Sequence, residues 1–523
     1  MRNFLYFINI IFHNLNLFKK KKYKKNRIVL IEFNRLASSV ISYSYLSNVL
    51  CEKFKANIYA YRLTAKKNSI KDFLWKILSK IYFTNTFNVY RSFGTNSFIN
   101  PSNFQISKED YKKINNIEKK VKNKSDLLKL RIGSIYIGDL IYDSYLMNFR
   151  EATINLRDKK FVEYLRHSLK NFFAWKNFFS KNDVKAVIVS HSVYTLAIPL
   201  RIAISKNINS YQCSSLNIYR LSKKNIYAYK DFLYFKKTFK KLNVYTKKRS
   251  IISAKNKIKK KFLGINLSLG ATKSAYRKKF YKKIIKKNDN TKILIATHCF
   301  FDNPHPYGQN LFVDFYEWLN FLGELSLKTK YDWYIKLHPD YLDGTKKIIL
   351  DFLNKYPNIK YIPSKYSHHQ LIAEGIDIAL TCWGSIAHEY PLFKKIVINC
   401  SRNNPHINYD FSLHPKSIKE YEHMILKLKK FKKKINLDSI YEFYAMNFIL
   451  KKSWMIESFY DLVDEQVYDY YYQFKPAFYN YWLTKEFNNN KHFKMIKKIK
   501  QFINANDYLM EWNKKDIDNF YAK

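Results

Sequence analysis

Two short motifs in the second half of the chain combine side chains suited to holding a phosphorylated ligand. Ile335-Lys336-Leu337-His338-Pro339 ends an apolar run with an imidazole and a proline. Thr381-Cys382-Trp383-Gly384-Ser385-Ile386-Ala387-His388-Glu389 ends another with a glycine, a hydroxyl and, four residues on, a carboxylate. Proline stops the first run and leaves His338 able to donate to phosphate. Gly384 permits close backbone approach, and Ser385 offers both an N-cap and a hydroxyl at the start of a helix whose free N–H groups and dipole favour an anion. Glu389 lies one turn further along the same helix face, where a carboxylate can accept from two ribose hydroxyls. Singly, each has an ordinary structural reading: a strand-end histidine, a helix cap, a solvated charge. Their ordered occurrence after two strands of one domain favours the ligand site.

A third segment, Thr297-His298-Cys299-Phe300-Phe301-Asp302-Asn303-Pro304-His305, follows the first strand of the same domain and contributes His298, Asp302 and His305 as further candidates for donor or acceptor contact. The competing reading is a loop fixed by Pro304 and Pro306. A general base that deprotonates a hydroxyl needs a carboxylate or imidazole within hydrogen-bond reach. The first half of the chain offers Asp139 first, with Asp143 beside it, and His191 second, together with Glu32 and Asn34 after an early strand. For Asp139 a turn or helix-cap role competes with catalysis.

The elements that must position these residues alternate between strand and helix. Residues 27–33 (RIVLIEF) read as a buried strand, 36–54 as a helix, 57–61 as a second strand, 107–130 as a charged helical stretch, 159–179 as a helix and 185–189 as a strand that ends in Ser190-His191-Ser192. A second alternating set has strands at 292–297, 331–337, 359–362, 376–381 and 396–399, with helices at 311–327, 346–355, 368–374 and 385–393. Such alternation predicts an α/β chain of two Rossmann-like domains built on parallel sheet, whose ligands sit where strand ends and helix N-termini converge. The expected boundaries are an amphipathic and basic segment at 1–26, a first domain at 27–285, a second at 286–440 and a helical, aromatic C-terminal extension at 441–523.

With these motifs the sequence resembles bacterial surface-polysaccharide glycosyltransferases of the GT-B fold, in particular the capsule-synthesis group that includes Kdo and sialic acid transferases. The resemblance is carried by residues 335–339 and 381–389 with Pro391, and covers roughly a hundred residues of the second domain. It implies two domains facing a cleft, with the first presenting a glycan or lipid-linked acceptor and the second holding a nucleotide-sugar donor. In that family the His-Pro histidine contacts donor phosphate, the Gly-Ser helix start binds phosphate and the downstream glutamate contacts ribose, roles that fall here on His338, on Gly384 and Ser385, and on Glu389. The family generally holds the diphosphate with helix dipoles and side chains, so no metal and no cofactor beyond the sugar nucleotide is expected. A CMP-activated acidic sugar is the donor that the resemblance favours, with UDP or GDP donors open. Polyol-phosphate transfer and nucleotide-sugar epimerisation use the same fold.

Composition sets the outer limits. With 523 residues, 47% hydrophobic and 18% aromatic, the chain can bury more than one core. The net charge of +53 raises the question of a polyanionic partner, nucleic acid or an acidic lipid surface. The lysine runs at 19–25, 236–241, 255–261 and 427–434 are dispersed, however, and none lies in a nucleic-acid-binding motif, so no specific nucleic acid is expected. Five scattered cysteines without a CxxC pair point to a reducing, cytoplasmic setting and against a thiolate metal site. Residues 4–18 place apolar side chains near helical spacing ahead of a basic run, too short and too polar to span a bilayer. They read either as an interfacial anchor on an anionic inner membrane face or as an ordinary helix packed on the protein.

Overall fold

A computed structural model describes residues 2–18, 23, 26–62, 69–81, 85–265, 273–276, 279–338, 340–428 and 435–510. The chain divides into two compact units. Among the described residues, the first takes those within 1–145, 155–228 and 453–510; the second takes those within 146–154 and 229–452. The dividing points at 228/229 and 452/453 differ from the expected 285/286 and 440/441. Pro339, much of the 19–25 basic run and most of the 427–434 run lie outside the described residues.

The first unit is built on strands β1 (Arg27–Glu32), β2 (Asn57–Tyr61), β3 (Thr95–Ile99), β6 (Asp183–Val189), β7 (Asn209–Cys213) and β8 (Ile218–Leu221), while β4 (Arg131–Ile132) and β5 (Ile135–Tyr136) form a separate small hairpin. Sheet order is β3-β2-β1-β6-β7-β8, parallel except for antiparallel β8. Strands β3, β7 and β8 escaped the sequence reading because TNSFI, NSYQC and IYRL carry polar residues inside the run. The returning C-terminal segment completes this unit: Trp454, Phe459, Trp482 and Phe502 share one apolar core with Val29, Ile31 and Tyr45.

The N-terminal helix Arg2–Leu17 has one packed and one exposed face. Ile10 and Phe18 are buried in the same core and Asn14 donates to Ser92 at 3.0 Å, so one face packs on the protein. Phe4, Leu5, Phe12 and Leu15 remain exposed.

The second unit contains β9 (Lys292–Ala296), β10 (Asp332–Lys336), β11 (Ile359–Ile362), β12 (Ile378–Thr381) and β13 (Ile396–Asn399), all parallel, in the order β11-β10-β9-β12-β13. The central strands are apolar on both sides because helices cover both faces, while the edge strand β11 exposes Lys360. Ile293, Ile295, Trp333, Ile335, Ile378 and Leu380 enter one core, while the alternate residues Leu294, Tyr334 and Ala379 enter the other. Both sheets thus match the two Rossmann-like domains expected, with the helical C-terminal region present as well. Among the described residues no helix is long and apolar enough to cross a membrane.

Packing on the second sheet leaves no room at Gly323, on the helix Phe315–Leu327, where an added Cβ would lie 2.5–2.7 Å from ring carbons of Tyr356. Gly323→Ala gains helix propensity but must displace that ring, and overpacking of this kind costs about 1–3 kcal/mol. The variant is expected to unfold at lower urea than wild type with an unchanged m-value; equal or higher midpoints would show that Tyr356 yields freely.

Candidate functional site

In a sheet ordered β11-β10-β9-β12-β13 the connections leave β9 toward one side and return on the other, so the loops after β9 and β12 diverge and open a crevice at the strands' carboxyl ends. His298 follows β9, while Thr381 ends β12 and Cys382 to Ser385 follow it. They meet: His298 Nε2 lies 3.1 Å from Thr381 Oγ1, while the Trp383 and Gly384 N–H groups reach His298 Nε2 and Thr381 Oγ1 at 3.4 and 3.2 Å. Since Nε2 accepts from Trp383, it carries no proton, and the Thr381 hydroxyl is left to donate to it. Burial, reinforced by His338, lowers the His298 pKa to about 3, in keeping with a neutral ring. The ring packs against Phe315 and Trp383, with centroids 4.9 and 4.4 Å away. A Cβ on Gly384 would stand 2.8 Å from Thr381 Oγ1 and 3.5 Å from the His298 ring, so only glycine fits.

His338, one residue beyond Leu337 at the end of β10, is exposed, and its Nδ1 accepts from the Asp340 N–H at 3.1 Å. In the neutral ring the proton therefore sits on Nε2, which is the tautomer a phosphate-binding donor needs. Crowding lowers the His338 pKa, with Asp340 opposing and Lys336 reinforcing. Lys336 itself is 2% exposed and lowers the pKa of both His338 and His368, so its positive potential reaches across this end of the sheet. Its position two residues after Tyr334, on the same face of a buried strand, was the signal the sequence offered.

The helix after Gly384 is shorter than its sequence suggested. Ile386–Glu389 makes one α-turn and passes into a 3₁₀ segment, Tyr390–Phe393. Ser385 already has right-handed helical backbone angles and makes no side-chain cap, so its expected N-cap role is not met. Its exposed hydroxyl instead supports Glu389.

Glu389 is buried, and its carboxylate is held by Lys261 Nζ at 2.5 Å and by the Tyr276 hydroxyl at 2.9 Å. Burial alone would raise its pKa, but the Lys261 charge and hydrogen bond prevail and hold it below the usual value. The ribose role read from its spacing therefore competes with a desolvated internal ion pair. Lys261 escaped notice because the helix Val244–Phe262 buries small or polar residues, Thr246, Ser250 and Ala254, along with Ile258. The one helix signal that could have been used is Asn243, which caps the Thr246 N–H.

Asp302 is exposed and His305 is 1% exposed, and among the described residues no cluster of three or more His, Cys, Asp or Glu could hold a metal. The Cys382 and Cys400 sulfurs, at the ends of β12 and β13, lie 2.8 Å apart, a pairing that eighteen residues of separation did not announce. In the first unit Asp139 is buried in an ion pair with Arg201 at 2.8 Å and accepts from Tyr227 at 2.9 Å. Arg201, 2% exposed, stacks over the Tyr136 and Tyr227 rings. The pair ties the helix Gly138–Phe149 to the helix Ile198–Ser205, the structural role that competes with catalysis for this carboxylate. His191, by contrast, is exposed at the end of β6.

No protein-family model and no curated protein matches the chain. Among solved structures, the UDP-GlcNAc 2-epimerase of Neisseria meningitidis bound to UDP-GlcNAc is 12% identical over 81% of this chain and 98% of its own, with a TM-score of 0.23. A glycosyltransferase of Rickettsia africae is 10% identical over 93% and 100%, also with a TM-score of 0.23. The wall teichoic acid polymerase TagF soaked with CDPG is 12% identical over 96% and 98%, with a TM-score of 0.17. Scores this low carry no functional inference.

The Lys261–Glu389 pair makes its own prediction. Glu389→Ala leaves a largely buried ammonium without its carboxylate and should cost about 3–5 kcal/mol in urea unfolding, most of it regained when Lys261→Met accompanies Glu389→Gln. Because the native carboxylate has a lowered pKa, its contribution is present above the unfolded value of 4.5 and is lost as pH falls through the native one. Wild type should lose this contribution below pH 4.5 and Glu389→Gln should not; parallel acid limbs would refute the pairing.

Proposed function

We propose that the chain is a glycosyltransferase that takes a nucleotide-activated sugar at the β9/β12 crevice of its second unit and extends a capsule or lipopolysaccharide glycan. The observation that carries this reading is the convergence of Thr381, Trp383 and Gly384 with His298 at the strand-order reversal, followed by exposed Ser385, together with a His338 whose Nδ1 accepts from the Asp340 N–H and so leaves the neutral ring's proton on Nε2. Donor phosphate would take that proton as a hydrogen bond and would sit in the potential of Lys336. A leaving nucleotide phosphate gains negative charge as the sugar–oxygen bond breaks, so donors already aimed at it stabilise the transition state more than the ground state. Side chains suffice for these roles, and the reading calls for no metal or cofactor. A CMP-linked acidic sugar is the favoured donor on the family resemblance of the two motifs.

Nucleotides that bind only the native state raise its melting temperature. Among CMP, UDP, GDP and CDP, one is expected to give a clear shift. His338→Ala should abolish that shift and reduce turnover at least a hundredfold while keeping the wild-type circular dichroism. No shift with any of the four, or a full shift in the variant, would count against the site.

The same reading places the enzyme at an anionic membrane surface on the cytoplasmic side. Two helices of the first unit expose apolar side chains: Phe4, Leu5, Phe12 and Leu15 on Arg2–Leu17, and Ile70, Phe73, Leu74 and Ile77 on Ser69–Leu78. Both pack against the helix Thr86–Ser92, through Asn14 on Ser92 and Trp75 on Phe87. Exposed Lys76 and Lys80 accompany the second, and apolar side chains flanked by lysines suit an acidic headgroup boundary. The protein should float with phosphatidylglycerol vesicles and much less with phosphatidylcholine, and Phe73→Ser with Ile77→Ser should reduce flotation several-fold. Flotation unchanged by this pair would remove that helix from the contact.

A further inference from the structure

Between Asp231 and Asp289 the sequence holds no Asp or Glu, while lysine and arginine recur throughout. Two helices of the second unit lie in this stretch, Phe235–Lys240 and Val244–Phe262. The Lys247 ammonium donates to the Lys240 carbonyl at 2.9 Å and ties the start of the longer helix to the end of the shorter one. The longer helix turns a narrow stripe toward its own unit: Thr246, Ser250, Ala254 and Ile258, one residue per turn, with Ala254 and Ile258 in a core shared with Tyr444 and Ala445. Small side chains at that spacing seat the backbone close and leave the opposite side of the helix uncovered.

At 3.6 residues per turn, Tyr245, Lys248, Ile252, Asn256, Lys259 and Leu263 fall opposite that stripe, bordered by Arg249 and Lys255. All of them are exposed, as are Lys236, Lys237 and Lys240 on the shorter helix. A basic helix that only faces water needs no large apolar side chains on its outer side. Here Ile252 is 56% exposed, Tyr245 50% and Leu263 40%. From Tyr245 to Leu263 this mixed face runs about 27 Å.

We propose that the outer face of the helix Val244–Phe262 is a docking surface for an anionic lipid bilayer, with Tyr245, Ile252 and Leu263 entering the headgroup boundary and Lys248, Arg249, Lys255 and Lys259 meeting lipid phosphates. The surface belongs to the second unit alone, lies beyond the contact assigned above to helices of the first, and does not depend on which reaction the chain performs. Lysines near an acidic leaflet are drawn to its negative potential within a Debye length, while exposed apolar side chains gain by leaving water for the acyl boundary. A soluble polyanion, whether nucleic acid or acidic glycan, engages the cations and offers nothing to Ile252 and Leu263. A headgroup boundary engages both. Salt separates the two attractions, because it screens the first and leaves the second.

Flotation of the full chain with mixed phosphatidylglycerol and phosphatidylcholine vesicles isolates this face when it is measured in a Phe73→Ser, Ile77→Ser parent, whose first-unit contact is weakened. Lys248→Gln with Lys255→Gln and Lys259→Gln should lower the parent's binding at least tenfold at an unchanged melting temperature. Ile252→Ser with Leu263→Ser should lower it several-fold in about 0.1 M salt and abolish it in about 0.5 M salt, where the parent still floats. No flotation of the parent, or equal flotation of parent and lysine variant, overturns the inference. So does a full effect of the lysine variant with none of the apolar pair, the pattern of a soluble polyanion site, in which a short RNA would bind the parent and the apolar pair alike. Failure of the transferase reading is a different result: no nucleotide-induced thermal shift and no turnover in wild type, with flotation still dependent on this helix.

Discussion

Parallel strands buried on both faces must end on a common side, and there the hydrogen-bonding ladder stops while backbone N–H and C=O groups still require partners. In the second sheet the ends of β9 and β12 satisfy that requirement with one threonine hydroxyl. Thr381 accepts from Gly384 and faces His298, while Trp383 donates to the same imidazole. The geometry of the whole crevice follows from this small set. It fixes the backbone after β12, excludes a side chain at position 384, seats a neutral histidine between two aromatic rings and leaves Ser385 exposed beside it.

Charge is arranged in two tiers around that framework. Lys336 and Glu389 are buried and Lys261, paired with Glu389, is largely covered, so their interactions are little screened and their positions are costly to disturb. His338 is exposed and can meet a ligand. The buried tier shapes the potential and the exposed tier makes contact. Glu389 belongs to the first tier although its spacing from Ser385 suggested the second, because helical periodicity reports which face a residue shares and says nothing of a lysine far earlier in the chain.

Legibility followed the same division. Three short strands, Asn57–Tyr61, Ile359–Ile362 and Ile396–Asn399, stand where the pattern put them. The strands TNSFI, NSYQC and IYRL were not readable, since the burial of their polar residues depends on neighbours that only the sheet supplies. Within the site, Gly384, His298 and His338 were visible because each follows an apolar run at a strand end. The partners that set their protonation, Thr381, Asp340 and Lys336, were present in or beside the same motifs but acquire roles only through distances. Asp139 shows the opposite case: a carboxylate in a suggestive stretch, whose partner Arg201 is reached only by folding.

The C-terminal segment within 453–511 is part of the first unit's core, while the second unit is dominated by one continuous stretch, 229–452. The domain that begins later in the chain can therefore be finished first. During synthesis the β1 sheet must wait, with the surface destined for Trp454, Phe459 and Trp482 uncovered, until more than two hundred intervening residues have been made. Such an interval exposes apolar surface to off-pathway association and gives chaperones their opportunity. Truncation near the C-terminus would accordingly damage the half of the protein that is translated first.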